Sequence, residues 1–287
     1  MDRPSNSTSD NYSARLDKNG PRVLVCSIPK SGTYLLGRIF EELGLEDTCL
    51  HISRSESSLY QNGNLQAYRS NPERFRVDQP FRECVSQICP RQFAVSHLPC
   101  DSETKKLATE LRVVFLHRDL RDCLISLMRF IADSGRDACF GSAWIQMPDG
   151  PERLAAFMKT YDWFCAQWVE PLLGWQKQAG VLSVSFEDLM GDNGQVQQRL
   201  CVQALCSHVG IDPMAIDLDR ILLSALNVST LTWSGNRSRR DQYWSSAAEA
   251  TFKKMKGIEL NRKLGYDFRN EGLAPIPKLI KQLRFVH

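Results

Sequence analysis

The stretch Arg22-Val-Leu-Val-Cys-Ser-Ile-Pro-Lys-Ser-Gly-Thr-Tyr34 decides the fold of this chain. Its first part, Arg22–Ser27, is short, apolar and rich in β-branched residues, which is typical of a buried strand. A helix is predicted directly after it, from about Gly32 to Leu43, because apolar residues recur there at helical spacing on one face. The loop between them therefore lies at the carboxyl end of a strand, where ligands of parallel sheets bind.

Strands and helices alternate along most of the remaining chain. Further strands are predicted at 46–52, 92–96, 111–116 and 181–185. Helices are predicted at 119–132, 151–178, 195–209, 213–226 and 246–264. This alternation predicts an α/β fold, a three-layer, P-loop-like parallel β-sheet flanked by helices on both faces. Residues 53–90 are polar, Arg-rich and weakly periodic, so an irregular flap is expected there.

The amino-acid composition excludes several classes of protein. With 287 residues, 43% hydrophobic and 24% charged, the chain is neither disordered nor fibrous. The formal net charge of +3 is too small for a dedicated nucleic-acid binder, so anion recognition should be local. Residues 1–20 are predicted to be a disordered tail and 21–287 a single domain, with no linker or repeat.

Neither a membrane span nor a signal peptide is predicted from the sequence. No stretch approaches the roughly 18 consecutive apolar residues of a membrane helix, and the polar amino-terminal residues lack an apolar signal region. Ten cysteines are present without a CxxC pair. Such spacing favours buried thiols, exemplified by Cys26 and Cys123, over a disulfide framework or a metal site. A reducing, cytoplasmic location is predicted.

The loop after the first strand carries the groups that bind an anion. The backbone N–H groups of Gly32, Thr33 and Tyr34 open the helix and point away from it. Gly32 lets the backbone approach a ligand closely, Ser31 and Thr33 offer hydroxyls, and Lys30 offers a mobile positive charge. An ordinary loop with a solvated lysine fits these residues equally well.

The order of residues excludes the P-loop of an ATPase, because Lys30 precedes Ser31 and Gly32 and position 26 is Cys. Pro29-Lys-Ser-Gly-Thr-Tyr34 instead resembles the 5′-phosphosulfate loop, commonly PKSGTTW, of sulfotransferases that use PAPS (3′-phosphoadenosine-5′-phosphosulfate). The resemblance implies PAPS as sulfuryl donor, PAP as product and no metal. In many relatives the tryptophan of this loop stacks on adenine; Leu35 stands at its position, and Tyr34 is a candidate substitute.

Two further segments resemble the same family. Arg118 and Ser126 stand eight residues apart after the strand at 111–116, matching the pair that clamps the 3′-phosphate. On their own, the charges around Arg118 are more typical of salt bridges at a helix start. Val95-Ser-His-Leu-Pro99 resembles the family's KTHLP segment, which implies that His97 is the catalytic base; the family lysine is Val95 here.

Two other resemblances are looser. Phe186, in Ser185-Phe-Glu-Asp-Leu189, stands where a family tyrosine contacts the adenine, and the acidic residues after it are expected to cap a helix. The second phosphate-binding segment, RKG in the family, has its best equivalent in 233–240. One register places Gly235 on the motif glycine, and another assigns the role to Arg237, Arg239 or Arg240; the sequence leaves both open, and a solvated arginine-rich loop is the plain alternative.

The resemblance implies in-line sulfuryl transfer from PAPS to a hydroxyl or amine, with His97 as base, Lys30 stabilising the leaving group and Ser126 holding Lys30 aside before the acceptor arrives. Aromatic residues of the flanking loops predict a small-molecule acceptor, with Tyr60, Phe75, Phe81, Phe140 and Trp144 as candidate lining. A nucleotide- or glycan-binding protein without transferase activity and a P-loop kinase are the alternatives. A homodimer is a weaker expectation.

Overall fold

The computed structural model describes residues 19–54, 59–61, 76–77, 79–134, 143–226 and 239–266. All but the last two residues of the predicted 1–20 tail lie outside these ranges, as do Gly235 and Arg237. The single domain over 21–287 stays a prediction.

Seven strands form one sheet: β1 (Val23–Ser27), β2 (Glu46–Ile52), β3 (Leu59–Gln61), β4 (Arg76–Val77), β5 (Gln92–Ser96), β6 (Arg112–His117) and β7 (Leu182–Ser185). Their spatial order is β4-β3-β2-β5-β1-β6-β7. The five strands β2, β5, β1, β6 and β7 are parallel, and β3 and β4 continue the sheet in antiparallel pairing. The predicted α/β fold with a parallel sheet and helices around it is confirmed.

The described helices complete the fold. The α-helices are α1 (Thr33–Glu42), α2 (Phe81–Ser86), α3 (Ser102–Leu107), α4 (Leu120–Ser134), α5 (Pro151–Thr160), α6 (Phe186–Met190), α7 (Gln195–His208), α8 (Leu218–Leu226), α9 (Arg240–Tyr243), α10 (Ser246–Lys254) and α11 (Gly257–Leu264). Residues Phe164–Val169 form a π-helix, and Ala143–Gln146, Glu170–Lys177 and Pro213–Ala215 form 3-10 turns.

β1 is the middle strand of the five parallel strands, and both of its faces are buried. Val23 and Val25 belong to the core on one side of the sheet, whereas Leu24 and Cys26 belong to the core on the other. β1 pairs with β5 on one edge and with β6 on the other. Alternating side chains thus serve both layers, and the continuous apolar run read from the sequence follows from this position.

Four segments differ from the sequence-based expectations. The predicted 213–226 helix is divided into the 3-10 turn Pro213–Ala215 and α8. The predicted 151–178 helix is divided into an α-helix, a π-helix and a 3-10 segment. The predicted 246–264 helix is broken at Lys256, which has a left-handed φ of 61°, and at Gly257, where a Cβ would lie 2.1 Å from the Phe252 ring. The expected flap contains two short strands and helix α2, whose Cys84 and Val85 are buried.

One arginine joins α9 to the start of α4. The guanidinium of Arg240 lies 2.6 Å from the Asp119 carboxylate and 2.7 Å from that of Asp122. Both aspartates are buried, and Asn261 donates a further hydrogen bond to Asp119 at 2.9 Å. Burial raises the pKa of Asp119 against the opposing effect of Arg240. Arg240 is thus the main counter-charge of two buried carboxylates.

Replacing Arg240 by alanine is expected to lower the free energy of unfolding by about 3–5 kcal/mol, because removing one partner leaves buried carboxylates uncompensated. The matched control is Arg199→Ala, which breaks an exposed pair with Asp219 and should lower it by less than about 1 kcal/mol. Urea unfolding measures both. Similar losses in the two variants would contradict the assigned role of Arg240.

Candidate active site

The carboxyl ends of the five parallel strands bring the candidate residues to one edge of the sheet. In spatial order the edge carries His51 near the end of β2, His97 after β5, the loop 28–32 after β1, Arg118 after β6 and Phe186 after β7. Four of these five positions follow from the sequence motifs; His51 does not.

The loop after β1 is held in a left-handed geometry. Lys30 has a φ of 69° and Gly32 a φ of 96°. The Ser31 hydroxyl donates to the Ile28 carbonyl at 2.6 Å, so this predicted ligand hydroxyl also fastens the turn. The first hydrogen bonds within α1 reach the Gly32 carbonyl. The N–H groups of 32–34 therefore occupy the helix N-terminus, where an anion is stabilised.

The ammonium of Lys30 rests on an aromatic face. Its Nζ lies 4.0 Å from the centroid of the Phe130 ring. Phe130 lies on α4 four residues after Ser126, so it is one helical turn from the serine predicted to hold Lys30 aside. Such a cation–π contact stabilises an extended lysine. The contact of Phe130 with Lys30 is not predicted from the sequence, because an aromatic residue on an amphipathic helix is most often a core residue.

The imidazole of His97 has a fixed tautomer. Its Nδ1 lies 2.6 Å from the Ser27 carbonyl oxygen, and since a carbonyl only accepts, Nδ1 carries the proton. Nε2 is then the ring nitrogen with a lone pair. Burial lowers the pKa of His97 to about 4; the Ser27 carbonyl opposes this effect and the charge of Lys30 adds to it. His97 is therefore neutral at pH 7 and able to accept a proton.

Ser27 links the histidine to the anion loop. Its hydroxyl lies 2.8 Å from the Thr33 hydroxyl and 3.3 Å from His97 Nδ1. Thr33, predicted as a ligand hydroxyl, thus joins the first turn of α1 to the residue that orients His97. From the sequence, Ser27 is predicted only as the end of a strand. Its position directly before the loop is the feature that could have indicated a role in the site.

Tyr34 and His51 form a second polar pair beside His97. The Tyr34 hydroxyl lies 3.2 Å from His51 Nδ1, and the His51 and His97 rings are 4.5 Å apart in an edge-to-face arrangement. The Tyr34 side chain thus extends toward His51 and, beyond it, His97. This contact gives no support to Tyr34 as a substitute for the adenine-stacking tryptophan.

Arg118 and the β1 loop meet at Phe186. The Arg118 guanidinium carbon lies 4.1 Å from the centroid of the Phe186 ring. A Cβ added at Gly32 would lie 2.4 Å from the same ring. The Arg118 Nε is buried and has no hydrogen-bond partner among the described residues. The guanidinium of Arg118 and the start of α1 thus lie against the same aromatic ring.

The other predicted residues are partly outside this site. Arg239 precedes α9, and Arg240 pairs with two buried aspartates rather than lying open to a phosphate. Ser126 lies part-exposed on α4. Trp144, expected to line the acceptor site, is a core residue packed on Phe157 with ring centroids 5.0 Å apart. The side chains of Tyr60, Phe75 and Phe140 lie outside the description.

A family model for the sulfotransferase domain matches residues 20–223. The chain belongs to the sulfotransferase family. Its fold resembles that of mouse sulfotransferase SULT7A1 complexed with PAP, at a TM-score of 0.54 and 16% identity, covering 90% of each chain. It also resembles retinol dehydratase in complex with androsterone and inactive cofactor PAP, at a TM-score of 0.55 and 12% identity, covering 92% of this chain and 88% of the other. No curated protein is significantly similar in sequence.

Membership of this family confirms the resemblance to sulfotransferases inferred from the sequence. Among the helices that the structure describes in this sulfotransferase, none has the length and apolar character needed to cross a membrane. Within the same residues, no three His, Cys, Asp or Glu side chains are grouped closely enough to hold a metal ion. The residue roles inferred from the motifs remain proposals.

Gly32→Ala should destabilise the sulfotransferase through contact with Phe186. The new Cβ would meet the ring at 2.4 Å, and overpacking of this kind costs about 1–3 kcal/mol. Gly180→Ala is the matched control, since Gly180 also has a left-handed φ, +77°, but nothing within 4 Å of an added Cβ. Urea unfolding should show a loss at least about 1 kcal/mol larger for Gly32→Ala; equal losses would contradict the contact.

His97 should titrate far below an ordinary histidine. Its ring is expected to show an NMR midpoint near the pKa of about 4 that burial and the charge of Lys30 produce, with nitrogen shifts of the Nδ1-protonated tautomer. Comparison of histidine-labelled wild type with His97→Asn assigns the signal. A midpoint near the unperturbed value of about 6.5 would show that the ring is solvated.

Proposed function

We propose that this sulfotransferase moves the sulfuryl group of PAPS to a hydroxyl or amine of a small-molecule acceptor. The single observation that carries the proposal is the meeting of Arg118 and the α1 N-terminus at Phe186. Two anion-binding groups on neighbouring strand ends suit a ligand that is charged at both ends. PAP in the complexes of two structurally similar proteins supports the same nucleotide class.

The residues present fit the two charged ends of PAPS. Arg118 offers a buried Nε without a partner among the described residues, and a guanidinium suits bidentate binding of the 3′-phosphate. Ser126 follows two turns along α4. Backbone N–H groups of Gly32, Thr33 and Tyr34 would hold the 5′-phosphosulfate, with Ser31 fastening the turn beneath them. Phe186 would contact the adenine, and Gly235, Arg237 and Arg239 stay candidates for the second phosphate loop.

PAPS, when bound, supplies the sulfuryl group. The acceptor proton passes to Nε2 of His97, the ring nitrogen left with a lone pair when Nδ1 donates to Ser27. Lys30 leaves the Phe130 face and neutralises negative charge growing on the departing nucleotide oxygen. Because Thr33 and His97 both contact Ser27, the donor loop and the base are held in one arrangement, which favours in-line transfer.

The acceptor is proposed to be a small hydroxylated or amine-bearing metabolite. His51 and Tyr34 add polar groups beside His97, and the androsterone bound to structurally similar retinol dehydratase supports an acceptor of modest size. Metal-free chemistry, a cytoplasmic location and a homodimer remain predictions. The altered 233–240 segment is the observation that favours the alternative, a nucleotide-binding relative without transferase activity.

Calorimetry with PAP and assays with labelled PAPS test the proposal. Arg118→Ala should weaken PAP binding by about 10- to 150-fold, the loss of a charged hydrogen-bonding group. His97→Ala should bind PAP normally yet transfer sulfate about 10²- to 10⁴-fold more slowly to phenols, steroid alcohols or amines. Lys30→Ala should abolish turnover.

The control is His208→Gln, which replaces a part-buried histidine bonded to Val113 near the opposite end of β6 and should leave both measurements unchanged. PAP binding without transfer to any acceptor would favour the non-catalytic alternative. Thermal stabilisation by ATP and Mg²⁺ but not by PAP would favour a kinase instead. Unchanged transfer by His97→Ala would remove the base assignment.

A further inference from the structure

A part-buried chain of hydrogen bonds lies on both sides of Arg118 in the sequence. His117, the residue before it, has Nδ1 3.0 Å from the Tyr266 hydroxyl. Tyr266 donates to Glu187 Oε2 at 2.6 Å. Glu187 Oε1 accepts the N–H of Asp119, the residue after Arg118, at 3.1 Å. Both neighbours of Arg118 in the chain are therefore held by one carboxyl group and one phenol.

The aromatic ring next to Arg118 belongs to the residue directly before Glu187. Glu187 directly follows Phe186, whose ring lies 4.1 Å from the guanidinium carbon. The start of helix α6 is capped separately by Ser185, whose hydroxyl accepts from Asp188 N–H at 3.0 Å. The expected capping role does not account for the Glu187 carboxyl, which instead joins β6, α6 and the chain after α11.

We propose that Glu187 and Tyr266 are positioning residues for Arg118, and that protonation of Glu187 controls the affinity of the site for the 3′-phosphate of the nucleotide. This inference rests on the proposed function, because it takes Arg118 as the 3′-phosphate ligand. No bond is made or broken in it other than the O–H bond of the Glu187 carboxyl, whose proton comes from solvent.

Burial is the main cause of the protonation. It raises the pKa of Glu187 to about 7, while the Tyr266 hydroxyl, the Asp119 N–H and the charge of Arg118 oppose it. The other charged or titratable groups around Glu187 are Arg240, Asp119, Cys123 and His117. Burial raises the pKa of Tyr266 and of Cys123 well above their usual values, so both stay neutral near pH 7.

The charge of Glu187 determines whether the affinity for PAP rises or falls with pH. A Glu187 carboxylate places a negative charge near Arg118 and opposes a phosphate dianion, whereas the neutral acid keeps acceptors for Asp119 N–H and Tyr266 without that charge. Bound nucleotide therefore favours the protonated form. Affinity for PAP should fall as the pH rises through about 7, and binding should take up protons from solvent.

Calorimetry with PAP between pH 6.5 and 8.5 tests this linkage. For the wild type, Kd should rise by about three- to tenfold over this range, tenfold corresponding to a shift of one pKa unit. Glu187→Gln mimics the neutral acid, so its Kd should match the wild type at pH 6.5, remain nearly constant, and be lower than the wild type at pH 8.5. Ionisation of the ligand phosphate is common to both proteins and cancels in the comparison.

Tyr266→Phe removes the hydroxyl that bonds both His117 and Glu187. Only part of this loss should reach Arg118, so PAP binding should weaken by about three- to tenfold. Glu41→Gln is the matched control, because burial also raises the pKa of Glu41 but that residue lies at the far end of α1; it should retain the wild-type pH dependence.

Identical pH dependence of the wild type and Glu187→Gln would overturn the inference while leaving the proposed function intact. Should Glu187→Gln fail to fold, PAP titrations of the wild type at pH 7.5 in buffers of different ionisation enthalpy decide the question, because net proton uptake is required and its absence refutes the linkage. A wild type that binds no PAP at any pH would instead overturn the proposed function itself.

Discussion

The arrangement of the candidate site depends on one constraint of the fold: the carboxyl ends of the parallel strands all lie at the same edge of the sheet. β1 is buried on both faces and flanked by β5 and β6, so the turn after it can reach ligand only at that edge. The turn satisfies its own polar groups through Ser31 and Ile28 and leaves the start of α1 facing outward. An anion at this position gains helix N–H donors without disturbing the core.

Phe186 lies between two of the loops that follow the parallel strands. Its ring packs against Gly32 on one loop and contacts Arg118 on another. Because any side chain at Gly32 would occupy the space of the ring, the glycine serves packing as well as the left-handed backbone. The same loop reaches His97 through Thr33 and Ser27. The loop that carries Lys30 and the imidazole of His97 are therefore connected through the last residue of β1.

The carboxyl groups close to Arg118 in the fold each have specific partners. Arg240 balances Asp119 and Asp122, and Glu187 shares its carboxyl between Asp119 N–H and Tyr266. Buried carboxyl groups of this kind are tolerated only when hydrogen bonds and counter-charges surround them. These interactions hold the segment 117–122 in place. The guanidinium of Arg118 lies against the Phe186 ring.

Local sequence determined the order of the main strands and helices, because this order depends on periodicity and on residues that are close along the chain. The roles proposed for Lys30, His97 and Arg118 come instead from the resemblance of their motifs to the sulfotransferase family. Only the tertiary structure decided which distant groups meet. The pairing of His51 with Tyr34, the contact of Lys30 with Phe130 and the use of Arg240 as a structural counter-charge join segments far apart in sequence. No local pattern encodes such contacts, since they arise from how the strands are ordered in the sheet and how the helices pack over it.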